Sequence, residues 1–460
     1  MSRLRSTINL VPVAYHLARI RRQERLPYGA QRHIQSRLLR ALVRHAHANV
    51  PHYRRVLTPA QVEGLRTAHD LAGFPVLDRT DLHEAATGTE LLADGFTDAN
   101  TRAATTSGSS GIPITIRNSE RDLGYLRATY LQDMLSNGLR PADRIAYFRV
   151  APFLRHPLER AGVLRGFHIP TDRTLDEQVA AFLAARPTFL IGFPNVIASV
   201  VDELRRRGLA HEGVRTVLFG GERLTPTARA HILDYFGATH REVYASVEVF
   251  TIARTCPRGS LHLRTTDLVV EVEHEDGTVS VEDGQGEILV TRLRSEAMPL
   301  IRYRLGDRVR ITPNDCPCGV AATPIVREVV GRSEDRIVAA DGRRYYGDFL
   351  TSAVQTFPEV SRMQLLQSRP GAIEVLVILA EDARADVLDD IGHAVRRKAP
   401  DLEVTVRRER RIVPEANGKI KIVKVLDASQ GRALSGDSPS SEGSPSTEKG
   451  QLSDVAEGND

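Results

Sequence analysis

No stretch of this chain is both long and apolar enough to cross a bilayer. The N-terminal run Ile8–Tyr15 is short and interrupted, and the Arg-containing segment Met1–Leu26 around it has no small-residue cleavage site. The expectation is therefore a cytoplasmic protein, with packing on the domain, or else transient contact with a membrane surface, as the use of this segment. A large charge of one sign is also missing. Against 62 basic residues stand 58 acidic ones, a formal net charge of +4, and arginine is spread along the chain, which argues against a nucleic-acid face and leaves room for small polyanions. Three cysteines cannot form an even disulfide set. No internal repeat shortens the problem, and 460 residues allow two or three domains around a large core.

The cysteines that are present are grouped. Cys256 is followed by His262, and Cys316-Pro-Cys318 lies on a turn-rich segment ending in Gly319. One Cys/His pair and one Cys-x-Cys pair supply the four ligands of a closed tetrahedral zinc site, which would be structural because no position is left for water. Three unrelated reduced thiols and a surface histidine are the alternative.

Periodicity places a helix within residues 30–60, with Leu38, Leu39, Ala41, Leu42 and Ala46 on one side, and another over Asp122–Asn137. Strands over Phe189–Ile191 and Val214–Phe219 enclose a helix over Val196–Arg207, which is the pattern of an α/β sheet. From Leu261 to Ile311 short alternating strands with turns at Asp276-Gly277 and Asp283-Gly284 predict an antiparallel, β-rich subdomain. Beyond Arg332 a smaller α+β unit is predicted, with strands near Met363–Gln367, Ile373–Leu379 and Val404–Arg408 and a helix over Ala383–Arg397. Ser429–Asp460 is rich in Ser, Gly, Pro, Glu and Asp and is expected to be a disordered tail. The domain expectation is 1–332, 333–428 and the tail 429–460.

The chemistry is carried by Thr106-Ser-Gly-Ser-Ser-Gly-Ile-Pro113. Its glycines let backbone N–H groups turn toward an anion, and its hydroxyls add uncharged donors. A Ser/Gly run alone is as compatible with a flexible linker. After it come, in order, Gly220-Gly-Glu222, Tyr244-Ala-Ser-Val-Glu248, Arg302-Tyr-Arg-Leu-Gly-Asp307, Gly331-Arg-Ser-Glu-Asp335 and Gly418-Lys419. Gly220 comes directly after a predicted strand, where ligands bind in open α/β sheets. This ordered set resembles the adenylate-forming ligases. Asn49-Val-Pro-His-Tyr53, Phe74-Pro-Val-Leu-Asp-Arg-Thr-Asp81 and Arg186-Pro-Thr-Phe-Leu-Ile-Gly-Phe-Pro194 make it most similar to the phenylacetate-CoA ligase branch and its capsule-biosynthesis relatives, over about residues 30–426.

The resemblance implies an α/β N-terminal adenylation domain with a β-rich subdomain and a small mobile α+β cap. It also implies ATP-dependent, AMP-forming ligation of an aryl, arylacetic or similar acid to coenzyme A through an acyl-adenylate. Thr106, Ser107, Gly108, Ser109, Ser110 and Gly111 would cradle the β- and γ-phosphates. Glu248 would hold Mg²⁺, an oxygen-seeking cation. Tyr244 would lie against adenine, with Gly221 and Glu222 along the base edge. Asp307 would accept from both ribose hydroxyls, as a carboxylate can, and Arg332 would reach the ribose just before a hinge at Glu334. Lys419 would be the adenylation lysine, with Lys421 and Lys424 as rivals. Phe193, Pro194, Gly220 and Ala245 would line the acid pocket. The cofactors implied are ATP, Mg²⁺ and coenzyme A, with structural zinc, and a homodimer is the oligomeric expectation.

Three departures from the family pattern stand out. Ile114 occupies the place of a loop lysine, Val247 that of a Ser or Thr before the glutamate, and Leu305 that of a threonine. They keep open a second reading, in which the adenylate or AMP passes to an amine, a hydroxyl or another small molecule. A third reading is a non-catalytic scaffold, but Glu248, Asp307, Arg332 and Lys419 are all retained, and a dead enzyme has no physical need for that set.

Overall fold

The computed structural model describes residues 10–86, 90–105, 114–150, 156–222, 226–319, 322–332, 336–380, 383–413, 415 and 420–426. Among these residues twelve strands form one continuous sheet. One half is parallel, with Arg165–Pro170, Arg144–Arg149, Phe189–Gly192, Thr216–Gly220 and Thr239–Ser246 side by side in that order. The other half, from Phe250–Thr255 onward, is antiparallel. The β-rich region therefore continues the α/β sheet edge to edge. Among the described residues no helix is long and apolar enough to cross a membrane.

Each half has its own core. In the parallel half, helices Leu175–Ala185, Pro194–Arg206 and Pro226–Phe236 cover the sheet through Val179, Phe182, Val196, Ile197, Val200 and Ile232. Buried positions 196, 197, 200, 201 and 204 put one face of the middle helix against the strands, and Pro194 starts that helix where a missing N–H costs nothing. A second core joins the antiparallel strands to the N-terminal helix Tyr28–Asn49 through Leu39, Leu42, Val43 and Ala46.

The single helix expected within 30–60 is two, Tyr28–Asn49 and Pro51–Val56. Pro51 forces Val50 to be extended (φ −111°, ψ 119°), because its ring clashes with a helical preceding residue. The Asp276-Gly277 turn closes a hairpin between Leu268–Glu273 and Val279–Val281, with Gly277 at φ 81°. Asp283-Gly284 does not close one: Val279–Val281 and Gly284–Arg292 flank Leu268–Glu273 on opposite sides.

The C-terminal elements form a separate four-stranded sheet, ordered Glu403–Arg408, Ala372–Leu379, Val360–Arg369, Val423–Val425. Helices Gly347–Val354 and Val387–Lys398 pack on it around Leu350, Val375, Ile391 and Val395. The helix Gly347–Val354, the hairpin of Arg336–Val338 with Arg344–Tyr346, and the last strand add to the elements that periodicity predicts. The expected tail, 429–460, lies outside the described residues.

Candidate active site

The motif residues gather where the parallel strands end. Phe193 caps the helix that comes after Phe189–Gly192. Gly220 ends its strand opposite Val243 on the next, and Tyr244 and Ala245 continue that strand. Phe193, Pro194, Gly220 and Ala245 thus lie at the carboxyl ends of three adjacent strands. A Cβ on Gly220 would stand 3.0 Å from Val243 Cγ2 and 3.3 Å from its carbonyl oxygen. Gly221 has φ 78°, a left-handed conformation that favours glycine.

Two hydrogen-bonded groups join distant motifs. Tyr244 Oη donates to Asp307 Oδ2 at 2.7 Å, and Arg332 Nε lies 3.6 Å from Asp307 Oδ1. Asp307 and Arg332 are direct cross-strand partners. Burial, then the Asp307 carboxylate, pushes the Tyr244 phenol well above its ordinary range, so it stays a donor. Tyr303 Oη faces Glu248 Oε1 at 3.5 Å, and both residues are buried. Tyr244 also belongs to the antiparallel core, so its ring serves packing as well as the site.

Glu222 has a role that its motif does not reveal. Its Oε2 accepts from Asn195 Nδ2 at 3.0 Å, and its Oε1 accepts from the backbone N–H of Ile420 at 2.7 Å. The residue after Lys419 is therefore anchored at the strand end that carries Gly220 and Gly221. Lys419 itself, the loop Thr106–Gly111 and Glu334 lie outside the described residues. The loop is bracketed by a hairpin, Arg102–Thr105 with Thr115–Asn118, whose register pairs Thr105 with Thr115. Of the rival lysines, Lys424 is paired with Glu415 at 2.8 Å.

The C-terminal sheet docks through a contact with no motif to announce it. Buried Arg362 pairs with Asp202 on helix Pro194–Arg206, and its Nη1 donates to Ser199 Oγ at 2.7 Å. Two motifs of the resemblance turn out to be supports. Tyr53 Oη donates to the Pro299 carbonyl and accepts from Ile301 N–H. Leu77 lies beside Tyr303 in a parallel bridge, its N–H donating to the Arg302 carbonyl and its carbonyl accepting from Arg304 N–H. Both hold the strand that leads to Asp307.

Cys256, His262, Cys316 and Cys318 converge, with one ligand atom from each lying within 4.8 Å of the others. Cys256 Sγ is 3.7 Å from Cys316 Sγ, and Cys318 Sγ is 3.7 Å from His262 Nε2. A tetrahedron with ligands about 2.3 Å from its centre has edges of about 3.7 Å, so the set fits zinc. The Thr323 carbonyl can only accept, so His262 Nδ1, 3.0 Å away, carries the proton and Nε2 is left for a metal. Burial pushes the Cys316 thiol up, but hydrogen bonds to it, among them one involving Ser260, outweigh it and bring it to about 6.

No family model matches the chain. It is 26% identical to a phenylacetate-coenzyme A ligase of Thermus thermophilus over 377 residues, 76% of this chain and 81% of that protein. It is also 26% identical to the enzyme of that name from Escherichia coli, over 79% of this chain and 87% of that one. The chain is a homologue of the phenylacetate-coenzyme A ligases. Its fold is that of the adenylate-forming enzymes: a 2-hydroxyisobutyryl-CoA ligase superposes with a TM-score of 0.72 at 20% identity, over 90% of this chain and 93% of that one. Protein CapK of Staphylococcus aureus matches a shorter part, 43% of each chain at 23% identity.

Proposed function

We propose that the chain joins a carboxylic acid to coenzyme A in two steps, first forming an acyl-adenylate from ATP and then passing the acyl group to the thiol. The observation that carries this reading is the meeting of Tyr244, Asp307, Arg332 and the Glu222–Ile420 contact at one end of the sheet. Attack of a carboxylate on the α-phosphorus brings two anions together, so the site must neutralise charge and hold the reactants in line.

In this reading Asp307, oriented by Tyr244 and Arg332, accepts from the ribose hydroxyls. Thr106–Gly111 cradle the outer phosphates, and Gly221 and Glu222 border the base. Lys419 is delivered beside Glu222 by the segment that Ile420 anchors, and stabilises charge as it develops at the α-phosphate. Glu248 would hold Mg²⁺, which supplies neutralisation of the triphosphate. Phe193, Pro194, Gly220 and Ala245 border the acid. Residues 1–332 form the adenylation domain and 333–428 a cap that turns about Glu334. Zinc at Cys256, His262, Cys316 and Cys318 would tie two hairpin loops together and take no part in the chemistry. The setting is the cytoplasm, which supplies both ATP and coenzyme A.

The test is acid-dependent pyrophosphate release from ATP over a panel of aryl, arylacetic and fatty acids, with product analysis after coenzyme A is added. Pyrophosphate together with a thioester supports the reading. Pyrophosphate without thioester moves the acceptor to an amine, a hydroxyl or another small molecule, and no acid-dependent release across the panel contradicts the proposal.

A further inference from the structure

The strands Thr216–Gly220 and Thr239–Ser246 carry the motif residues at their C-terminal ends. At their other ends Thr216 and Thr239 are register partners, about 13 Å away by strand rise. There a cavity of about 400 Å³ opens, lined by Asn137, Arg140, Arg215, Thr216, Thr239 and Arg241. Among the described residues no carboxylate lines it.

Its positive charge is poorly compensated. Asp143 reaches the cluster from outside the lining, and it already accepts from Arg215 Nη2, from Thr188 Oγ1 and from the Arg140 backbone N–H. Arg140 and Arg241 form no ion pair with any described residue. Arg241 Nη1 donates to the His240 carbonyl at 2.8 Å, while its Nε is buried without a hydrogen-bond partner. The helix Glu120–Ser136 ends beside the cavity, but its last carbonyls accept from the N–H groups of Asn137, Gly138 and Leu139. Guanidinium forks and threonine hydroxyls are donors that match phosphate oxygens. With Arg215 matched by Asp143, two guanidinium groups remain, and a diphosphate, with anionic oxygens on two phosphorus atoms, can pair with both at once.

We propose that this cavity is a second anion site, apart from the catalytic end of the sheet, for a small molecule carrying a diphosphate group. The shared chemistry is the diphosphate, whether free or esterified. The probes are inorganic pyrophosphate and methyl diphosphate, added to the full chain while amide hydrogen exchange is followed segment by segment. Saturable protection of 137–141, 215–217 and 239–241 is expected. Protection by both probes assigns the site to an esterified or free diphosphate, and protection by the inorganic probe alone assigns it to the free anion. Arg140→Ala, at an exposed position, should weaken binding several-fold with an unchanged Tm, and Arg140→Ala with Arg241→Ala at least tenfold. Protection confined to the catalytic end, equal protection by sodium chloride at matched ionic strength, or undiminished binding in both variants overturns the proposal. Residues 244–248 are read in the same experiment, so this proposal and the catalytic reading fail separately.

Discussion

The large sheet and the small C-terminal sheet hold their polar groups in opposite ways. In the large sheet Tyr244, Asp307 and Arg332 are fixed by strand register and by each other, and Glu248 is buried against Tyr303. The small sheet meets the large body through a few discrete contacts, chiefly Arg362 with Asp202 and Ile420 with Glu222. A frame that fixes its acceptors by register and a unit docked through a few contacts suit the proposed reaction, in which one charge must arrive and leave.

The contrast breaks most severely at the Cys/His cluster, where zinc is proposed. Cys318→Ser should abolish stoichiometric zinc and lower Tm by more than about 5 °C, as read by metal analysis and calorimetry. Removing the docking cation comes next. Arg362→Ala should cost about 1–2 kcal/mol, less than a fully buried pair because Asp202 is partly exposed, and should show as faster proteolysis of the C-terminal unit.

Acid should weaken the same contact. Burial raises the Asp202 pKa, but His231 and Arg362 outweigh it, so the native value is lowered. The contribution is present above the ordinary carboxylate pKa of about 4 and is lost as pH falls through the lowered native value. Arg362→Ala should flatten this part of the stability profile, measured as Tm against pH. The smallest effect belongs to Tyr244→Phe, which removes one donor to Asp307 and should raise KM for ATP about fivefold, or about 1 kcal/mol, with little change in Tm.

Local signals in the sequence go far. The helix around Val196–Leu204 and the strand near Val217 follow from periodicity, and the Cys/His spacing anticipates a cluster that does converge. Long-range pairing is not legible. Nothing local distinguishes Asp283-Gly284, where the chain crosses over, from Asp276-Gly277, where it turns back. The contact of Glu222 with a backbone N–H 198 positions away leaves no mark in sequence. Arg362 is one arginine among many until its burial against Asp202 singles it out. No lysine precedes Lys398, so the permanent side-chain cations of the large sheet are arginines, and Ile114 in place of a loop lysine agrees with that.

The central claim is that the docked unit brings Lys419 to the end of the large sheet. It is tested most directly by comparing Lys419→Ala with Lys421→Ala and Lys424→Ala in acid-dependent pyrophosphate release. Release should fall by about 10²–10³ in Lys419→Ala and change little in the other two. Equal losses in all three, or unchanged release by Lys419→Ala, would contradict the claim.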